Sequence, residues 1–147
     1  MTIQSMALIG TGVMGMGIAQ IAAQAGLEVR LFDAKAGAAE AGLAKLKTTL
    51  EKLQAKGKFT EEVLNETLAR FKILNSIEEV VGVDLVVEAI IENLDIKQSL
   101  FKQLESIVSP ETILATNTSS LSVTAIASNL EHQGRMAGFH FFNPVPL

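Results

Sequence analysis

The chain alternates between short, mainly apolar runs and longer stretches in which apolar residues recur every three to four positions. The runs at residues 6–9, 28–32, 72–74, 85–89, 113–115 and 136–141 predict strands. The first of them, residues 6–9, is continuous rather than alternating, as expected of a parallel strand covered on both faces. Between the first two, Ile18, Ile21, Ala22 and Ala25 predict one apolar helical stripe, which Gly26 can end in the left-handed conformation. Leu100, Phe101, Leu104, Ile107 and Val108 mark another helix, and Pro110 prevents its continuation. This alternation of strand and helix predicts an α/β fold, a doubly wound and mainly parallel sheet forming one domain over residues 1–147.

Residues 36–70 interrupt the pattern. Leu43, Leu46, Leu50 and Leu53 form a helical stripe, Gly57 breaks it, and Thr60 followed by Glu61 and Glu62 reads as the capped start of a second helix running through Leu68. A helical hairpin inserted after the second strand is therefore expected. Eight of the twelve basic residues (Lys35, Lys45, Lys47, Lys52, Lys56, Lys58, Arg70 and Lys72) fall in or beside this stretch, against five acidic ones. They form either a solvated helix face or a local positive field for an anionic, phosphate-bearing substrate.

Composition narrows the function classes. With 48% hydrophobic and 19% charged residues in 147, the chain has a substantial core to bury and is not a disordered polymer. A net charge of −4 offers no field to nucleic acid. The absence of cysteine rules out a disulfide framework, a thiolate metal site and a cysteine nucleophile, and it fits a reducing, cytoplasmic compartment. Two histidines and no cysteine make a metal site improbable. Residues 1–27 carry no charge, which is long enough for a membrane span or a signal peptide. Gln4, Gln20, Gln24 and the glycines at 10, 12, 15 and 17 argue against a span, and no basic segment opens a signal peptide. A buried strand followed by a buried helix explains the stretch, and no membrane partner is expected.

The strongest chemical signal is Gly10-Thr11-Gly12-Val13-Met14-Gly15, a G-x-G-x-x-G between the first strand and the first helix. In that setting Gly10 permits the tight turn, Gly12 has no Cβ to block a pyrophosphate, Gly15 lets helix and strand approach, and the helix N-terminus supplies free N–H groups. Asp33, 18 residues after Gly15, closes the second strand. A carboxylate there accepts hydrogen bonds from the ribose hydroxyls of NAD and repels the extra phosphate of NADP; Lys35, two residues on, works against that preference. At the end of the fourth strand Glu92 and Lys97 either bracket the cofactor or are surface charges beside a helix capped by Asn93. Thr116-Asn117-Thr118-Ser119-Ser120 is a cluster of ligand-capable side chains or a turn that caps the next helix. His140 stands at the end of the last strand, at the edge where ligands bind in such sheets, with a pKa suited to accepting a proton near neutrality; His132 has no such placement.

Taken together, Gly10 to Gln20, the run Val86-Val87-Glu88-Ala89-Ile90-Ile91-Glu92-Asn93, Asn117-Thr118-Ser119-Ser120-Leu121 and Gly138-Phe139-His140-Phe141-Phe142-Asn143-Pro144-Val145-Pro146 resemble the NAD-binding domain of the L-3-hydroxyacyl-CoA dehydrogenase family. The resemblance covers essentially the whole chain and implies a Rossmann-type fold. It implies that Gly10, Thr11, Gly12, Val13, Met14, Gly15 and Asp33 hold NAD, with Glu92, Lys97, Asn117, Ser119 and Asn143 completing the cofactor site. It also gives Thr49 and Lys56 contacts to coenzyme A, on an approximate match. The implied reaction oxidises a 3-hydroxyacyl-CoA to the 3-ketoacyl form, with His140 removing the hydroxyl proton and Ser119 binding the substrate oxygen.

The family pattern continues past Pro146 to a glutamate that orients the histidine and to a helical domain that closes the substrate site and mediates dimerisation. The chain stops at Leu147, so the resemblance implies the N-terminal half of a larger, homodimeric enzyme, poorly active alone. Two other classes compete. One is a non-catalytic NAD-binding structural or sensory module, which retention of Ser119 and His140 disfavours. The other is the 3-hydroxyacid dehydrogenases acting on free acids, which lack the His-Phe-Phe-Asn-Pro run.

Overall fold

Residues 2–118 and 121–139 are described by the structure, a computed structural model. The elements follow as β1 (Ser5–Ile9), α1 (Val13–Gln24), β2 (Glu28–Phe32), α2 (Ala38–Ala55), α3 (Glu61–Ala69), β3 (Phe71–Ile73), β4 (Leu85–Glu88), α4 (Leu94–Ile107), β5 (Ile113–Asn117), α5 (Val123–Ala127) and β6 (Met136–Phe139). Single 3-10 turns at Ile77–Val80 and Gln133–Arg135 precede β4 and β6. The strands lie in the order β3-β2-β1-β4-β5-β6, each pairing parallel, so the winding reverses between β1 and β4. That is the doubly wound Rossmann-type fold, with the helices α2 and α3 inserted between β2 and β3.

The central strand shows why the first apolar run is unbroken. All five residues of β1 are buried. Successive side chains point to opposite faces. Met6 and Leu8 pack with Ile18, Ala19, Leu46, Leu50 and Leu64 on one side of the sheet, while Ala7 and Ile9 pack with Phe101, Leu104 and Ile126 on the other. Each large side chain removed from water in this way contributes about 1.5–3 kcal/mol. With helices on both faces no position of β1 beyond Ser5 calls for a polar residue, and the period-2 signal disappears there, whereas β2 keeps an alternation of buried Val29 and Leu31 with more exposed Glu28 and Arg30.

Several boundaries differ from the sequence expectation. The buried face of α1 carries Gly15, Met16, Ile18, Ala19, Ala22 and Ala23, whereas Ile21 is 40% exposed and Ala25 is exposed. The stripe is rotated because glycine and alanine let the helix lie close against the sheet, and the sequence pattern gave undue weight to the larger isoleucine. β5 extends two residues beyond the predicted strand and takes in Thr116 and Asn117. β3 begins one residue early, although Leu74 is still buried. Residues 140–141 of the last predicted strand lie outside the described residues. In the inserted hairpin, Thr60 caps α3 by accepting a hydrogen bond from the Val63 N–H at 3.2 Å. Among the described residues no helix is long and apolar enough to cross a membrane.

Candidate functional site

The apolar run of β1 ends at Ile9, and Gly10 turns the chain toward α1 with φ +102. A side chain there would meet the Ala89 carbonyl oxygen at 2.6 Å, and one at Gly15 would lie 1.9 Å from the Gly10 carbonyl. Both glycines are thus required by close backbone approach. Gly12 differs, since nothing lies within 4 Å of the position its Cβ would take. It is the N-cap of α1, no side chain caps it, and the first turn contains no acidic residue. The N–H groups of that turn, with the partial positive charge of the helix end, face open space beside a residue without a side chain. A diphosphate fits these donors, with Val13 and Met14 contributing backbone N–H groups and only partly covered side chains. The inserted hairpin supports the loop, because a Cβ at Gly42 of α2 would come within 3.0 Å of the Thr11 carbonyl and of Met16.

Asp33 follows β2 and is tied into this loop. One carboxylate oxygen accepts the Thr11 N–H and the Thr11 hydroxyl, each at 2.8 Å; the other accepts the Lys35 N–H at 2.9 Å. A carboxylate offers about four acceptor positions, so one remains on the second oxygen. Burial pushes the Asp33 carboxyl up, but the N–H groups of Thr11 and Lys35, the Thr11 hydroxyl and the nearby Lys35 charge together hold it below its ordinary value. The anion is therefore fixed at neutral pH, half-buried, with one acceptor position left on the oxygen that takes the Lys35 N–H.

On the far side of the reversal, the ends of β4 and β5 carry a network that sequence reading only partly anticipated. Glu88, the last residue of β4, is fully buried, as is Lys97 in the first turns of α4. The Lys97 ammonium lies 2.9 Å from one Glu88 oxygen, 2.7 Å from a Glu92 oxygen and 3.2 Å from the Asn117 carbonyl. Glu88 also accepts the Thr116 hydroxyl at 2.5 Å and the Ile90 N–H at 2.7 Å, and Glu92 accepts the Thr118 hydroxyl at 2.6 Å. Asn93 does cap α4, accepting from the Ile96 N–H at 3.1 Å, yet Lys97 is not a surface charge. Its three donors all point at these partners. Glu88 is the residue the sequence reading missed. A carboxylate in the run Leu85-Val86-Val87-Glu88-Ala89 with a lysine nine positions on was the available signal.

The structure does not gather every predicted residue. Thr49 is exposed on α2, its hydroxyl donating to the Lys45 carbonyl of its own helix at 3.1 Å, and Lys56 is exposed at the C-cap of α2. The hairpin lysines face solvent, while Arg70 is half-buried and donates to the Ala23 carbonyl at 2.8 Å. Thr116, read from the sequence as part of either a ligand-capable cluster or a capping turn after the fifth strand, is a buried residue of β5 whose hydroxyl donates to Glu88. Thr118 accepts from the Leu121 N–H, and Ser122 caps α5. Ser119, Ser120, His140 and Asn143 lie outside the described residues. Exposed His132 donates its N–H to Glu105 at 3.1 Å.

Comparison with known proteins gives consistent matches. The model of the family described as 3-hydroxyacyl-CoA dehydrogenase, NAD binding domain, matches residues 5–147. A probable 3-hydroxybutyryl-CoA dehydrogenase of Bacillus subtilis is 46% identical over 147 residues, covering 100% of this chain and 51% of its own length. Crystal structures of 3-hydroxybutyryl-CoA dehydrogenases from Escherichia coli K12 and Ralstonia eutropha superpose with TM-scores of 0.97 and 0.95 at 41% and 40% identity. They cover 100% and 99% of this chain but 31% and 52% of their own. The chain spans about half the length, or less, of the curated relatives it matches.

Proposed function

We propose, from the premise that this chain belongs to the 3-hydroxyacyl-CoA dehydrogenase family and forms its NAD-binding domain, that it is the cofactor-holding half of an enzyme oxidising a 3-hydroxyacyl-CoA to the 3-ketoacyl-CoA. The observation that carries the cofactor half of this reading is the union of Asp33 with the glycine loop through Thr11. One receptor at the strand ends thereby offers backbone donors for a diphosphate and, beside them, an ionised acceptor for a ribose diol. Bound there, NAD supplies the hydride acceptor of the reaction.

The remaining roles follow from position in the chain. Ser119 comes two residues after β5 and His140 directly after β6, the carboxyl ends where ligands bind in a doubly wound sheet. His140 takes the proton of the substrate's 3-hydroxyl at a ring nitrogen as the C3 hydrogen leaves with its electron pair, and returns it in the reverse direction. Ser119 hydrogen-bonds the same substrate oxygen, and Asn117 and Asn143 contact the cofactor. Thr49 and Lys56, exposed on α2, receive the coenzyme A moiety. The whole enzyme acts in the cytoplasm as a homodimer through a second domain that closes over the substrate.

The test is direct. The 147-residue chain should bind NADH with one site and consume it with acetoacetyl-CoA only slowly, below roughly one turnover per second, the low end for enzymes. His140→Ala should remove that residual turnover and leave NADH binding intact. Failure to bind NADH would refute the cofactor reading. Full residual turnover in His140→Ala would refute the assignment of the base.

A further inference from the structure

We infer that the buried Glu88–Lys97 pair is a clasp that sets the nicotinamide half of the cofactor site, with Glu88 as a positioning residue acting through Lys97 and Glu92. The inference rests on the cofactor reading above and goes beyond it, because it assigns a role to a carboxylate that no part of that mechanism uses.

The placement follows from topology. The glycine loop at β1 and Asp33 at β2 take the diphosphate and the adenosine ribose. Strand order reverses between β1 and β4, so the other half of a dinucleotide lying across the strand ends passes over β4 and β5. At that edge Glu88 and Thr116 are the last register partners of the two strands. Beyond them the β4–β5 pairing ends: Ala89 still donates its N–H to the Ile9 carbonyl at 2.8 Å before the 89–93 turn, and Asn117 pairs on its other side with Phe139 of β6. Glu88 spans this parting. One oxygen holds the Ile90 N–H of the turn, the other holds Thr116 on β5, and both face the Lys97 ammonium. Lys97 in turn grips the Asn117 carbonyl and Glu92, whose second oxygen holds Thr118. One carboxylate and one ammonium thus join the end of β4, the start of α4 and the end of β5.

Energetics argue that position, not stability, is what the pair provides. Taking two charges out of water costs about as much as their attraction returns, and well-packed apolar residues of similar volume commonly stabilise a fold as well or better. An apolar pair would fill the volume but could not hold Glu92 and the Asn117–Thr118 segment at hydrogen-bond tolerance from each other. The pair also lies at the ligand edge, not in the middle of the core, and Glu92 reaches the rim with its side chain one-third exposed. Lys97, with its donors committed inward, shapes the site from beneath.

The test titrates the chain with two probes. NADH reports on the whole site, and ADP reports only on the half held by the glycine loop and Asp33. Glu88→Gln should weaken NADH about tenfold, the size of one lost charge-assisted hydrogen bond, and leave ADP within about twofold. Should Glu88→Gln fail to fold, the double variant Glu88→Met with Lys97→Met keeps the volume without a lone buried charge, and it should show the same split. Parallel weakening of both probes would make the pair a general structural element and overturn the clasp, as would NADH affinity unchanged in the folded variant. A wild-type chain that binds ADP but gains nothing from the nicotinamide half would also overturn it. Binding of neither probe by the wild type would overturn the cofactor reading and the clasp with it.

Discussion

Replacing Asp33 with asparagine is the sharpest probe of how the site selects its cofactor. The change keeps the size of the side chain and removes its charge. In the native structure one oxygen receives two donors from Thr11 and the other one donor from Lys35. The amide oxygen of Asp33→Asn can keep the Thr11 contacts, but its NH2 group then faces the Lys35 N–H and offers no acceptor to a ribose hydroxyl. Losing a hydrogen bond to a charged acceptor costs about 1.5–3 kcal/mol, or roughly 10- to 150-fold in NADH affinity. The 2′-phosphate of NADPH feels the opposite change, since two unit charges about 4 Å apart at an effective dielectric of about 20 repel by about 4 kcal/mol. NADPH affinity should therefore hold steady or rise, and the NADH-to-NADPH preference should collapse by about 100-fold or more. Parallel fluorescence titrations of the two dinucleotides on wild type and variant measure this, with a thermal melt to show that the Thr11 contacts survive. NADH affinity within twofold of wild type, or equal losses for both dinucleotides, would refute the ribose role.

Two glycines of the loop should separate folding from binding. Gly15→Ala places a Cβ 1.9 Å from the Gly10 carbonyl, so urea denaturation should show a loss of about 3 kcal/mol or more. Gly12→Ala enters open space at an ordinary φ of −72, so stability should stay within about 1 kcal/mol while NADH binding weakens by about tenfold or more. Acid should unfold the chain through its carboxylates. Glu79, held by the Ser76 and Asn75 N–H groups, and Asp84, held chiefly by the Gln4 N–H, both lie below their ordinary values. Asp33 and Glu105 also lie low, because backbone hydrogen bonds and nearby positive charge outweigh the upward push of burial. In each case the unfolded chain binds the proton more readily, so the stabilisation is present above roughly pH 4 and fades as pH falls through the native pKa values. Circular dichroism from pH 7 to pH 2 should show the loss concentrated below about pH 4, and a midpoint near pH 6 would contradict it.

What could be read from the sequence, and what could not, divides by the range of the interaction. The central strands were legible because helices cover both faces of the sheet, so β1 and most of β4 needed an apolar residue at nearly every position, a signal carried by three or four neighbours. The glycine loop and Asp33 were legible because 18 residues in one βαβ unit fix both ends of the receptor. The helix α5 was not, since five residues are too few to show a period, and only the polar cluster before it hinted at a cap. Gly42 reads as an ordinary helix-weakening glycine until α2 is seen lying on Thr11. The clasp was the least legible of all. Its partners are separated by 9 and 28 residues, and the meaning of Glu88 depends on Lys97 having been drawn wholly out of water. A charge in a buried strand says only that a partner must exist. The parallel pairing of β4 with β5 is what delivers Thr116 opposite Glu88 and the Asn117 carbonyl within reach of the ammonium. The residues proposed for the adenosine half were thus readable from local motif, whereas those proposed to shape the nicotinamide half depend on sheet register. Substitutions that disturb the β4–β5 register should consequently impair the second half of the site while sparing the first.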